Sequence, residues 1–97
     1  MTGVSIKSYA GQSYPQQVSA YIKGVSYTIQ FRYNVLFGFF TIDVYNAANK
    51  LLFRGKIVEG NGYVITDKVV NARSTTTVTY TLYVSSISSD SCTLVAI

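Results

Sequence analysis

VSYTIQFRY, residues 25–33, sets Val25, Tyr27, Ile29, Phe31 and Tyr33 on one face and Ser26, Thr28, Gln30 and Arg32 on the other. Successive side chains of a strand point to opposite faces of a sheet, so this period of two predicts a half-buried antiparallel strand with an aromatic inner face. The pattern repeats on both sides. Residues 17–22 form an earlier β run, and Lys23-Gly24 between the two supplies the positive φ that a tight hairpin turn demands. Downstream, VLFGFF (35–40) divides in two. Val35, Leu36 and Phe37 make a connection, Gly38 permits the bend, and Phe39 and Phe40 start the next strand pointing to opposite faces. In that strand Phe40, Ile42 and Val44 alternate against Phe39, Thr41, Asp43 and Tyr45, which predicts Phe40 in the core.

NAANK (46–50) has turn residues at both ends and reads as a hairpin loop leading into LLFRGKIV (51–58), where Gly55 suggests a bulge or a close backbone approach. Asn61-Gly62 is the strongest two-residue hairpin signal of the chain and predicts a type I′ turn. DKVVNARS (67–74) shows no clear period, leaving a loop or a single helical turn open. TTTVTYTLYV (75–84) alternates again, with Val78, Tyr80, Leu82 and Val84 on one face. After the serine-rich SSISSDS (85–91), CTLVAI (92–97) makes a last strand. The first 15 residues read as an arm or edge strand, with at most a short strand at 4–9. The expectation is one all-β domain over 1–97, a small antiparallel β-barrel or β-sandwich of about seven strands joined mainly by hairpins.

Composition agrees with a β fold and narrows the chemistry. At 97 residues the chain suffices for one hydrophobic core and is too short for two. Charged residues make up 12%, against about a quarter in an ordinary soluble domain, which suggests that part of the surface is covered by something else. The formal charge of +4 is scattered rather than gathered into a basic arm. There is no histidine and one cysteine, Cys92, so the chain cannot build an ordinary zinc site, a Cys-His or Ser-His catalytic pair, or an internal disulfide. Cofactors are not expected. The start of the sequence lacks the layout of a signal peptide and no apolar run reaches the roughly 18 residues of a spanning helix, so use or assembly in a cytosol is expected, with no membrane.

Two weaker readings arise from single features. Asp43 and Glu59 form a carboxylate pair of glycosidase type only if they are cross-strand neighbours; salt bridges from Asp43 to Arg54 or Lys56 are the commoner outcome. Arg32, Arg54 and Lys56 beside aromatic strands suit a binding module for single-stranded nucleic acid, and the tyrosines one for carbohydrate, although rings on regular apolar faces are more often core.

The segment YTIQFRYNVLFGFFTIDVYNAANKLLFRGKIV (27–58) resembles the baseplate plug family of contractile-tailed bacteriophages. The resemblance runs through a strand ending FRYN, a glycine followed by paired aromatics in GFF, the strand TIDVYN with Asp43 two residues before Tyr45, a short turn, and LLFRGKIV. It implies a virion protein of the tail baseplate without enzymatic activity, assembled in the host cytoplasm. Its implied partners are hub, spike and tail-tube proteins near the tail axis and further copies in a threefold or sixfold ring. On that reading Phe37 and Phe39 pack against another subunit, and Arg32, Arg54 and Lys56 meet acidic neighbours.

Overall fold

The computed structural model describes residues 3–8, 14–70, 73–88 and 91–97. These residues form eight strands: β1 (Val4–Lys7), β2 (Gln16–Ile22), β3 (Val25–Asn34), β4 (Phe39–Tyr45), β5 (Leu51–Lys56), β6 (Gly62–Val70), β7 (Thr75–Ile87) and β8 (Cys92–Ala96). β2, β3, β4 and β5 follow one another as an antiparallel meander, and the second sheet runs β1-β8-β7-β6. The two sheets stack as a sandwich rather than closing into a barrel. β1 is the eighth strand, at the edge; the rest of the predicted arm, residues 9–13 with Met1 and Thr2, lies outside the described residues.

Alternation decides what fills the sandwich. Tyr27, Ile29 and Phe31 of β3 and Phe40, Ile42 and Val44 of β4 are buried and face each other in register, Ile29 opposite Val44 and Phe31 opposite Ile42. The other sheet supplies Ile65, Tyr80, Leu82, Val84 and Leu94. Rings interlock edge-on across the layer, with Tyr27 and Tyr80 centroids 5.1 Å apart and Tyr14 and Phe40 5.4 Å apart. The 13 residues of β7, at about 3.4 Å each, account for most of the 47 Å long axis.

Local turn chemistry holds the meander. Lys23 and Gly24 carry φ of 52° and 80° directly between the paired residues Ile22 and Val25, the two-residue turn expected there. Asn46 Oδ1 accepts from Ala48 N at 3.0 Å and Lys50 N at 2.9 Å, closing the β4–β5 loop as an Asx turn. Gly38 has φ +70° and donates its N–H to the Asn34 carbonyl at 2.8 Å, ending the β3–β4 tip.

Three expectations are corrected. Asn61-Gly62 is not a hairpin turn: the turn is at Glu59-Gly60, with φ +86° at Gly60, and it carries the chain from one sheet to the other. Asn61 is already in the next ladder, its carbonyl accepting from Val84 N at 2.9 Å, and Gly62 opens β6 opposite Tyr83. Residues 67–70 are neither loop nor helical turn but the second half of β6, in which Ile65, Asp67 and Val69 point inward. An inward aspartate hides the period of two; residues 71 and 72 of the same stretch lie outside the described residues. The irregularity in β5 sits at Leu52, skipped where Val44 pairs with Phe53 and Tyr45 with Leu51, and not at Gly55, which pairs regularly with Ile42. What approaches Gly55 is a ring: a Cβ there would stand 3.4 Å from Phe53 Cζ.

Candidate interaction surface

The predicted site residues all belong to the meander and its β3–β4 tip, where they fall into two groups. Arg32 and Arg54 do not reach outward as free cations. Both turn to Asp43, Arg32 Nε to Oδ2 at 3.3 Å and Arg54 Nε to Oδ1 at 3.0 Å, from the two strands that flank β4. Asp43 stands on the outward side of β4 yet is only 1% exposed, because the arginine side chains lie over it while remaining 49% and 60% exposed themselves. Arg54 Nη2 also donates to Asp43 Oδ2 at 3.3 Å and to the Tyr45 hydroxyl at 3.4 Å. These bonds, Asp43 first and Tyr45 next, hold the Arg54 guanidinium above its ordinary pKa. A bond from Arg32 Nη2 to the neutral Gln30 Oε1 at 3.4 Å completes the cluster. Two arginines on one carboxylate leave one net positive charge.

Glu59 is not a cross-strand neighbour of Asp43. Arg54 occupies the place opposite Asp43, and Glu59 sits in the corner beyond β5, where its Oε1 accepts from Ile87 N at 2.7 Å. The carboxylate-pair reading therefore has no geometry behind it. Among the described residues, no three of His, Cys, Asp and Glu gather as a metal-binding group. Among the described residues, no helix is long and apolar enough to cross a membrane.

Phe37, Phe39 and Lys56 do come together, at the end of the sandwich where β3 turns into β4 and β5 crosses to β6. With Phe40, Val58 and Ile87 they line a cleft of about 370 Å³. Lys56 Nζ lies 4.8 Å from the Phe39 ring centroid, a cation–π contact that leaves Phe39 half-covered. Phe37 is 74% exposed at the tip, held by its N–H bond to Asn34 Oδ1 at 3.0 Å. Its neighbours Val35 and Leu36, which sequence reasoning assigned only to a connection, are 84% and 83% exposed. A signal for this is present in the sequence: three large apolar residues in a turn cannot all find a core when the flanking strands already fill it.

A second polar cluster lies between the sheets. Asp67, 3% exposed, accepts from the Tyr27 hydroxyl at 2.9 Å and from Asn46 Nδ2 at 3.1 Å, tying β6 to β3 and to the β4–β5 loop. Burial first, then the bond to Asp67 and its charge, push the Tyr27 hydroxyl well above the usual tyrosine range. Tyr80, against Tyr27, is raised in the same direction by burial, and its hydroxyl has no hydrogen-bond partner among the described residues. Cys92 is an inert buried thiol, pushed up to about 12 by burial in a core strand.

Residues 5–91 match the family model described as "Cyanophage baseplate Pam3 plug gp18". No curated protein and no solved structure is matched.

Proposed function

Since this chain belongs to the phage baseplate plug family, we propose that it works by packing the apolar β3–β4 tip, with Phe37 and Phe39, against neighbouring baseplate subunits. A baseplate plug is a structural virion protein of the phage tail and interacts with other baseplate proteins. The finer reading is that hub, spike and tail-tube proteins are the neighbours, that copies close into a ring around the tail axis, and that assembly takes place in the host cytoplasm without any catalytic step. Heterologous contacts between identical subunits close into rings when their rotation permits, which suits a position on a symmetric axis.

The observation that carries this reading is the run Val35, Leu36 and Phe37, exposed by 84%, 83% and 74% at one tip of an otherwise well-packed sandwich. Contiguous apolar surface rimmed by polar residues marks an interaction site, and aromatic side chains are the usual anchors of such contacts. Lys56 over Phe39, rather than Arg32 or Arg54, is the cation placed to join that contact.

Substituting Leu36→Asp together with Phe37→Asp tests the proposal. Both side chains are exposed, so the variant keeps the melting temperature of the parent within a few degrees, while its recovery in purified tail particles falls at least about tenfold, as for loss of a hot spot. Undiminished incorporation of the double variant would refute the role given to the tip.

A further inference from the structure

The two ends of the sandwich differ in charge as well as in polarity. Strand direction brings the Lys23-Gly24 turn, the 46–50 loop and the last residues of β6 to the end opposite the apolar tip. Lys23, Lys50, Lys68 and Arg73 are all exposed there. None of the four forms an ion pair among the described residues. Lys23 folds back to donate to the Thr79 carbonyl at 2.6 Å, so Lys50, Lys68 and Arg73 face outward. The carboxylate of this end, Asp67, is buried under Tyr27 and Asn46. Asp43 is covered by its arginines, and Glu59 is at the other end bonded to Ile87 N. The low charge content of the chain thus conceals an end whose cations have no exposed Asp or Glu side chain beside them among the described residues.

Shape reinforces the charge. Asp67 lies level with the last residues of the meander, and beyond it the β6–β7 hairpin projects, with Lys68, Val70, Thr75, Thr76 and Thr77 all exposed. Between this overhang and the β4–β5 loop opens a cleft of about 380 Å³ lined by Val25, Ala47, Ala48, Val69 and Val70 together with Asn46 and the hydrogen-bonded Asp67, with Lys50 and Lys68 on its walls. Val70 is 74% exposed at its rim.

We propose that this basic end docks an acidic segment of another baseplate protein, an apolar side chain of that segment entering the cleft while its flanking carboxylates meet Lys50 and Lys68. The proposal rests on the reading of the chain as a baseplate component. The mostly aliphatic lining favours protein over nucleic acid as the occupant: phosphates would satisfy the lysines, but a nucleic acid carries no branched aliphatic group to fill the cleft, whereas an acidic protein segment satisfies both requirements. Complementary charge also steers encounter and orients the subunit, leaving the tip at the opposite end free for its own contact.

Carbodiimide treatment of purified tail particles tests this, because it joins a lysine amine to a carboxylate in contact with it, with loss of water. Mass spectrometry should find Lys50 and Lys68 linked to Asp or Glu of a different protein, in preference to the exposed Lys7 at the opposite end. A K50E/K68E variant, changed only at exposed positions and checked for unaltered thermal unfolding, should enter particles at least about tenfold less well. Links confined to Lys7, normal incorporation of K50E/K68E, or ultraviolet cross-links from this end to nucleic acid would overturn the proposal while leaving the plug reading in place. Absence of the chain from every tail particle would remove both.

Discussion

Asp43 and Asp67 are both buried aspartates in β-strands, 1% and 3% exposed, and they are satisfied by opposite means. Asp43 points outward from the meander and meets two guanidinium groups from the adjoining strands. Asp67 points inward between the sheets and meets only neutral donors, the hydroxyl of Tyr27 and the amide of Asn46. A charge-neutralised carboxylate under solvent-exposed arginines is a local fastener of one sheet, and its partners can rehydrate when it is removed. A carboxylate bonded to neutral groups across the sandwich is an interlock between sheets, and its loss strands the buried Tyr27 hydroxyl. The charge is compensated in the first case, whereas hydrogen bonding alone sustains it in the second.

The sharpest way to break the comparison is to make Asp43 resemble Asp67 by removing its counter-charges without uncovering it. Arg32→Met with Arg54→Met keeps aliphatic side chains over the carboxylate and takes both cations away. A buried carboxylate without a cation, left only the long bond from the Tyr45 hydroxyl at 3.5 Å, is strongly destabilising, so the double variant should lose about 3 kcal/mol or more in urea unfolding. Each single substitution, with the other arginine still in place, should cost much less than half of that, so that the pair exceeds the sum of its parts. Simple additivity would show that Asp43 is hydrated in solution and that the arginines are ordinary surface cations.

Removing one neutral donor from Asp67 is the next test. Tyr27→Phe leaves the ring packed against Tyr80 and deletes only the hydroxyl that bonds Asp67. The carboxylate then keeps Asn46 alone, and leaving a buried acceptor short of a partner costs about 1–3 kcal/mol. A loss under about 0.5 kcal/mol would mean that the two sheets are held by apolar packing and that the interlock adds nothing.

The same contrast explains how far the sequence can be read. Asp43 and its arginines are 11 residues apart in each direction, joined through hairpins whose alternation is plain, so a salt bridge from Asp43 to Arg54 or Lys56 is legible in the amino-acid pattern, and the strand register selects Arg54. The split of Phe39 and Phe40 to opposite faces follows from the same local rule, and Phe40 is indeed buried while Phe39 is half-covered. Asp67 finds its partners 40 and 21 residues away, across the sandwich. No local pattern announces that, and an aspartate at an inward position breaks the very alternation that would reveal the strand. Asn61-Gly62 misleads for a related reason. Its hairpin preference is a property of two residues, but whether a turn joins neighbours in one sheet or carries the chain to another is settled by distant pairing, here of β6 with β7. The apolar tip is visible in the sequence as residues and not as surface, because exposure is decided by how fully the neighbouring strands fill the core.

Tyr80 offers the smallest and most pointed test, since it differs from Tyr27 in one respect only. Both rings are buried and their centroids lie 5.1 Å apart, but the Tyr80 hydroxyl has no partner among the described residues where that of Tyr27 has Asp67. A buried hydroxyl without a bond carries its desolvation cost uncompensated, so Tyr80→Phe should be neutral or stabilising by up to about 1 kcal/mol at about pH 7. Alkali should widen that difference. The folded state holds the Tyr80 proton more tightly than the unfolded chain, where tyrosine ionises near pH 10.0. Above that pH the unfolded state binds fewer protons than the folded one, and stability that is fully present below about pH 10 is lost as pH rises, by about 1.4 kcal/mol per pH unit for each such group. Phenylalanine has no proton to lose, so the variant should fall less steeply than the parent between about pH 9 and 11, the remaining slope coming from Tyr27 and Cys92. Parallel curves, or a cost above about 1 kcal/mol at about pH 7, would show that the Tyr80 hydroxyl does have a partner, and the distinction between the two tyrosines would fail.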